Sequence, residues 1–168
     1  APDLGLPRQS GAWAVAVTDS WNGAEEDLAA FEEAFITSGA TSVHRAGTEA
    51  ELHDALAARR LLNQGMHALL GGSLNGDVVV PRSELAAFTD RLPALAKEYD
   101  TLVSVAGHAG DGNLHPVVMF DPDVHGAQAR ATDAMQAVWR LAQQLNGSLT
   151  GEHGVGLEKL PELDGELE

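Results

Sequence analysis

The chain has 168 residues, no cysteine, and ten basic against twenty-five acidic side chains, for a formal net charge of −15. That length suits one core, the charge argues against nucleic acid or an anionic membrane surface as a direct partner, and the lack of cysteine excludes disulfides, iron–sulfur ligation and a thiol nucleophile. No apolar run approaches the roughly 18 residues of a spanning helix and no signal-peptide pattern is visible, so a cytoplasmic location without direct membrane insertion is expected.

In chain order, residues 12–17 are apolar and read as a strand. Residues 24–38 read as a helix with Leu28, Phe31 and Phe35 on one face. Residues 41–45 read as a short strand. Thr48 with Glu51 forms a capping box that opens a helix through about residue 63. Residues 71–76, with three glycines, read as a flexible loop. Residues 78–80 read as a strand that Pro81 ends. Ser83 is placed to cap a helix carrying Leu85, Phe88, Leu92 and Leu95, kinked or broken near Pro93. Residues 102–106 and 117–120 read as buried strands. A long helix over about 124–145 turns Ala131, Met135, Val138, Leu141 and Leu145 inward, and Asn146-Gly147 stops it. Residues 148–150 read as the last strand. This order predicts an α+β fold: an antiparallel sheet with helices packed on one face, an elaborated ferredoxin-like arrangement, its other face open.

Two stretches carry the chemistry. The first is Gly107-His108-Ala109-Gly110-Asp111-Gly112-Asn113-Leu114-His115-Pro116. Asp111-Gly112 is a strong two-residue hairpin signal, because both central residues must take positive φ. With that turn, His108 faces His115, and opposed residues have Cβ atoms roughly 4.5–5.5 Å apart. Two imidazoles at that distance can share one ion. Asn113 lies on the same face, because side chains alternate along a strand. Asp111 itself is explained by the turn.

The second stretch is Gly151-Glu152-His153-Gly154-Val155-Gly156. Two histidines seldom make a tight site, and a catalytic zinc takes three protein ligands with one position left open. Glu152 is the best third ligand, on a backbone that glycines allow to approach closely. His153 points away from Glu152 in an extended segment and reads instead as a base or an oxyanion contact.

Together these motifs resemble the C-terminal domain of FAD-linked oxidases and dehydrogenases of the vanillyl-alcohol-oxidase-like superfamily, with members that act on glycolate, D-lactate and D-2-hydroxyglutarate. Residues 55–60, Ala-Leu-Ala-Ala-Arg-Arg, are similar to the family's Trp-x-x-Arg-Lys segment, with Leu56 in place of Trp, and residues 77–85 are similar to its D-V-x-V-P-R-S-x-L segment. The resemblance implies that His108, His115 and Glu152 bind a divalent metal, zinc or manganese. It implies that Asn113 and His153 lie near the substrate carboxylate and hydroxyl, and that Arg59 grips the carboxylate, a geometry suited to a guanidinium. Without the resemblance, Arg59 reads as a solvated helix arginine. The implied reaction oxidises a 2-hydroxy acid to its 2-oxo acid, with His153 as the catalytic base and hydride passing to FAD. The implied partners are the flavin-binding domain of the same protein and an electron-acceptor subunit.

The family's flavin-binding domain and its Asn-Pro-Gly-Lys closing segment are not in these residues, so the expectation is a fragment, residues 1–168 forming the substrate or cap domain alone and inactive by itself. The competing reading is a non-catalytic cap or interaction module that holds no metal when isolated. The glycine spacings do not make a phosphate loop, since the first cluster leads into a strand and not a helix. His44, His53, His67 and His125 read as surface or packing residues, and Trp13, Trp21 and Trp139 as core or interface.

Overall fold

The computed structural model describes residues 12–19 and 22–166, with no description of the side chains at 58–64, 67 and 164–166. Its elements are α1 (Ala24–Thr37), α2 (Glu49–Leu70), β1 (Gly72–Asn75), β2 (Val78–Val79), α3 (Leu85–Glu98), β3 (Leu102–His108), β4 (Asn113–Phe120) and α4 (Ala127–Gln144), with 3-10 turns at Arg82–Glu84 and Leu160–Glu166. They fall into two compact units, Ala1–Leu61 and Leu62–Glu168.

In the second unit, β4 is the organising strand. Alternation sends Leu114, Pro116, Val118 and Phe120 to one face and Asn113, His115, Val117 and Met119 to the other. β3 pairs antiparallel along one side of it, from Leu102 opposite Met119 to His108 opposite Asn113. β1 and β2 pair along the other side in a single register, Gly72 opposite Phe120 and Val79 opposite Asn113. They are one strand interrupted at Gly76-Asp77, where the partner is His115-Pro116. Pro116 has no N–H to give the ladder, although the Gly76 N–H still donates to the Pro116 carbonyl at 2.7 Å. Ser148 adds one antiparallel bridge to Val79 on the outer side. The chain order strand–helix–strand–strand–helix–strand, with β4 between β1/β2 and β3, is the ferredoxin-like split unit anticipated above.

α3 packs on β3, α4 on β4, β1 and β2, and the two helices on each other. The core between them and the sheet joins Phe88 and Leu92 to Ala131, Met135, Val138, Trp139 and Leu141, and to Leu114, Val118 and Phe120. These apolar positions recur at helical spacing in α3 and α4 and at every second residue in β4, which puts all three sets on the inward side. α3 runs through Pro93 unbroken. A proline inside a helix forfeits one backbone bond, a cost of about 3 kcal/mol; Phe88 and Leu92, both buried, anchor the helix across that defect.

Several expectations need correction. Residues 71–76 are not a loop, because 72–75 form β1; the edge of β4 supplies ladder partners that weak local β propensity does not reveal. Residues 12–17 and 41–45 form no strand, since among the described residues no ladder partner pairs with them. Ser83 does not cap α3: the 3-10 turn Arg82–Glu84 comes first, and Glu84 stands at the N-cap with no side-chain bond. α2 runs on to Leu70. In the first unit, Thr48 does open α2: its hydroxyl accepts the Glu51 N–H at 3.2 Å, and Glu51 Oε2 accepts the N–H groups of Gly47 and Thr48 at 2.7 and 3.1 Å. No described helix is long and apolar enough to cross a membrane.

Candidate metal centre

The face of β4 turned away from α3 and α4 carries Asn113 and His115. The β3 register places Ala106 beside His115 and His108 beside Asn113, and the β1/β2 register places Asp77 opposite His115 on the other side. The hairpin is not closed by the two-residue turn expected. Four residues, 109–112, connect β3 to β4, and the N–H groups of Asp111 and Gly112 both reach the His108 carbonyl, at 3.3 and 3.0 Å. His108 therefore sits opposite Asn113 and not opposite His115. The shift is two residues, an even number, so no side chain changes face. His108 and His115 become diagonal neighbours whose rings still meet edge to face, with centroids 5.6 Å apart. Asp111 is a turn residue as expected, its carboxylate accepting the Asn113 N–H at 2.9 Å. Gly112 has φ +81°, and a Cβ there would lie 2.0 Å from the Val80 carbonyl oxygen. Its own carbonyl accepts the Val80 N–H at 3.0 Å, so the hairpin tip is tied directly to the chain after β2.

The second half of the site is the loop after Ser148. One carboxylate shapes it. Asp77 Oδ2 accepts the Thr150 hydroxyl at 2.8 Å and the N–H groups of Gly151, Glu152 and His153 at 2.9, 3.0 and 2.8 Å. Asp77 is 1% exposed. Burial pushes its carboxyl up, but these four donors together outweigh burial and hold it well below the ordinary carboxylate range. Lys159 closes the loop from the far end: its buried ammonium donates to the carbonyls of Asp77 (2.9 Å), Leu149 (2.6 Å) and Gly154 (3.4 Å).

So held, the loop brings Glu152 and His153 over the sheet. Glu152 Oε2 lies 3.8 Å from His115 Nε2, and the His153 ring stacks on that of His115 at 5.4 Å. Donor atoms of His108, His115 and Glu152 all lie within 4.8 Å of one another, as do those of Asp77, His115 and His153. The first trio combines two imidazoles with an exposed carboxylate, a set that suits a divalent ion such as zinc or manganese with a position left open. In the second, one Asp77 oxygen is already saturated by the loop. Three buried polar atoms on this face have no hydrogen-bond partner: Asp77 Oδ1, Asn113 Oδ1 and His115 Nδ1. Such atoms are costly unless a ligand or a partner satisfies them.

The remaining expected residues are placed unevenly. Asn113 lies on the site face but beneath the loop: it is 4% exposed, and a Cβ on Gly151 would come within 2.7 Å of its Oδ1. Arg59 lies in α2, and its side chain, like that of His67, is outside the described residues; Trp21 is outside them altogether. Trp139 is core, while Trp13 is 45% exposed. Sequence reasoning missed Asp77 and Lys159. Asp77 was visible only as the first residue of a recognised segment, and a single lysine near the end of the chain carries no signal.

The family described as FAD linked oxidases, C-terminal domain, matches residues 2–168. The glycolate oxidase subunit GlcD of Bacillus subtilis is 34% identical over 165 residues, 98% of this chain and 35% of that protein. The same subunit of Escherichia coli K12 is 32% identical over 139 residues, 83% of this chain and 28% of that protein. A D-lactate dehydrogenase of Archaeoglobus fulgidus is 31% identical over 161 residues, 95% of this chain and 34% of that protein. The chain thus spans about a third of the length of these relatives, and it belongs to the FAD-linked oxidases, within their C-terminal domain family.

Proposed function

We propose that this chain is the substrate- and metal-binding part of a flavin-dependent dehydrogenase or oxidase that converts a 2-hydroxy acid, such as glycolate or D-lactate, to its 2-oxo acid. The observation that carries the reading is the convergence of His108, His115 and Glu152 from a hairpin and a distant loop. A divalent ion held there supplies Lewis-acid polarisation, which lowers the pKa of a hydroxyl it binds. FAD supplies the two-electron acceptor. Neither glycine cluster of this chain opens an α-helix that would cradle the flavin's phosphates, so the flavin is assigned to a flavin-binding domain of the same protein, and onward electron transfer to an acceptor subunit. The proposed location is cytoplasmic.

The chain's own residues bind, orient and move a proton. His153, exposed and stacked on His115, takes the substrate hydroxyl proton as general base. Asn113 holds the carboxylate so that Cα–H is presented in one orientation, a role that the family resemblance also implies for Arg59. For Asn113 this needs the Gly151 segment to lift, because that segment covers its amide.

The test is metal uptake. The purified chain should bind about one zinc or manganese ion, and His108→Ala should lose it with an unchanged far-UV spectrum. In the full protein the same change should abolish turnover of the hydroxy acid. Equal metal content in wild type and variant would refute the site, and a metal-free wild type would favour the non-catalytic cap.

A further inference from the structure

His115 is the hinge of the site, and its two ring nitrogens face different carboxylates. Nε2 looks toward Glu152 at 3.8 Å, and Nδ1 looks toward Asp77 Oδ1 at 3.7 Å. Nδ1 and Oδ1 are both buried and both lack a hydrogen-bond partner. They lie 3.7 Å apart, about 0.5 Å beyond the usual hydrogen-bond length. Asp77 cannot turn away to find another donor, because four loop donors pin its Oδ2.

We propose that Asp77 is the positioning residue of this centre: Oδ1 holds His115 in the Nδ1–H tautomer, leaving the Nε2 lone pair free for a ligand on the Glu152 side, while Oδ2 fixes the backbone that carries Glu152. One carboxylate thereby sets the direction of one metal-binding side chain and the height of another. The physical basis is general. A histidine can give only one nitrogen to a ligand, and the hydrogen bond at the other nitrogen decides which. This inference rests on the metal reading above, but its first measurement does not.

That measurement is the imidazole 15N spectrum of the full chain, metal-free, at about pH 8. His115 should show the Nδ1–H tautomer; the Nε2–H tautomer would overturn the proposal. Asp77→Asn provides the second arm. If the amide oxygen keeps the loop donors, its NH2 group meets His115 Nδ1 and demands a lone pair there. The expected result is a switch to Nε2–H and a loss of zinc affinity of between about 10- and 100-fold. An unchanged tautomer with affinity within about twofold of wild type would overturn the proposal. Lys159→Met, which removes the ammonium from the carbonyls of Asp77, Leu149 and Gly154 without touching His115 or the Asp77 carboxylate, should leave the Nδ1–H tautomer in place. A switch in that variant would mean that Asp77 acts only by holding the loop, which also overturns the proposal. Absence of zinc uptake by wild type would sink the metal reading alone, since the metal-free tautomer decides the orientation by itself.

Discussion

The two halves of the centre are built by different means. His108 and His115 sit on a hairpin whose backbone ladder is continuous from Leu102 to His108, so their positions follow from the sheet. Glu152 and His153 sit on a loop whose one link to the sheet's ladder, among the described residues, is the Val79–Ser148 bridge. That loop is held instead by two buried charged side chains: Asp77 accepts the N–H groups of Gly151, Glu152 and His153, and Lys159 donates to the carbonyls of Leu149 and Gly154 on either side of them. The hairpin presents its ligands by default, whereas the loop presents Glu152 only while its buried charges are satisfied. Metal affinity should therefore be more sensitive to the loop than overall stability is, and the reverse should hold for the hairpin.

The hairpin side of that contrast can be broken at Gly112. Alanine there would meet a backbone oxygen that cannot move away, at a φ that L-residues rarely adopt. Left-handed strain costs about 1–2 kcal/mol and overpacking about 1–3 kcal/mol. Gly112→Ala should lower unfolding free energy by about 3 kcal/mol or more, measured by urea denaturation, and metal binding should fail as a consequence of unfolding. A fully stable variant would show that the tip is not tied to Val80, just after β2, as described.

The same contrast explains what could be read from the sequence. The inward faces of α3 and α4 were legible because their periodicities repeat over many residues, so Phe88 and Met135 fell inward on pattern alone. The shared face of His108, Asn113 and His115 was legible for the same reason, and it survived a wrong turn assignment because the error was an even number of residues. The partners of Asp77 were not legible. Its role depends on lying opposite His115 where β1/β2 is interrupted across from Pro116, and on a loop more than seventy residues away folding back over it; neither fact has a local signature. β1 was hidden likewise, since Gly72, Ser73 and Asn75 become a strand only because β4 offers an edge.

Gly151 tests the loop side. A Cβ there would come within 2.7 Å of both Asn113 Oδ1 and Val79 Cγ2. These are side-chain atoms that can shift, so Gly151→Ala should cost only about 1–3 kcal/mol. The alanine should lift the adjacent Glu152 off the sheet, so that zinc affinity falls by more than that stability loss predicts for a simple unfolding equilibrium. Calorimetry of unfolding together with zinc titration of the same variant separates the two. If affinity is unchanged while stability drops, the loop is more rigidly placed than its hydrogen bonding indicates.

The smallest effect calibrates the comparison. Glu51 does at the start of α2 what Asp77 does under the loop, accepting N–H groups with a carboxylate, but in solvent. The Gly47 N–H and then the Thr48 hydroxyl are the main causes that lower its pKa below the ordinary 4.5. A depressed folded-state value means that the charged form stabilises the fold. That contribution is complete above about the ordinary value and is lost as pH falls through the lowered one. Glu51→Gln should therefore melt slightly below wild type at neutral pH, and the gap should close as the solution is acidified. A gap independent of pH would mean that the carboxylate charge plays no part in the cap. A gap as large as that of Gly151→Ala would mean that burial is not what distinguishes the carboxylate beneath the loop from the one at the helix end.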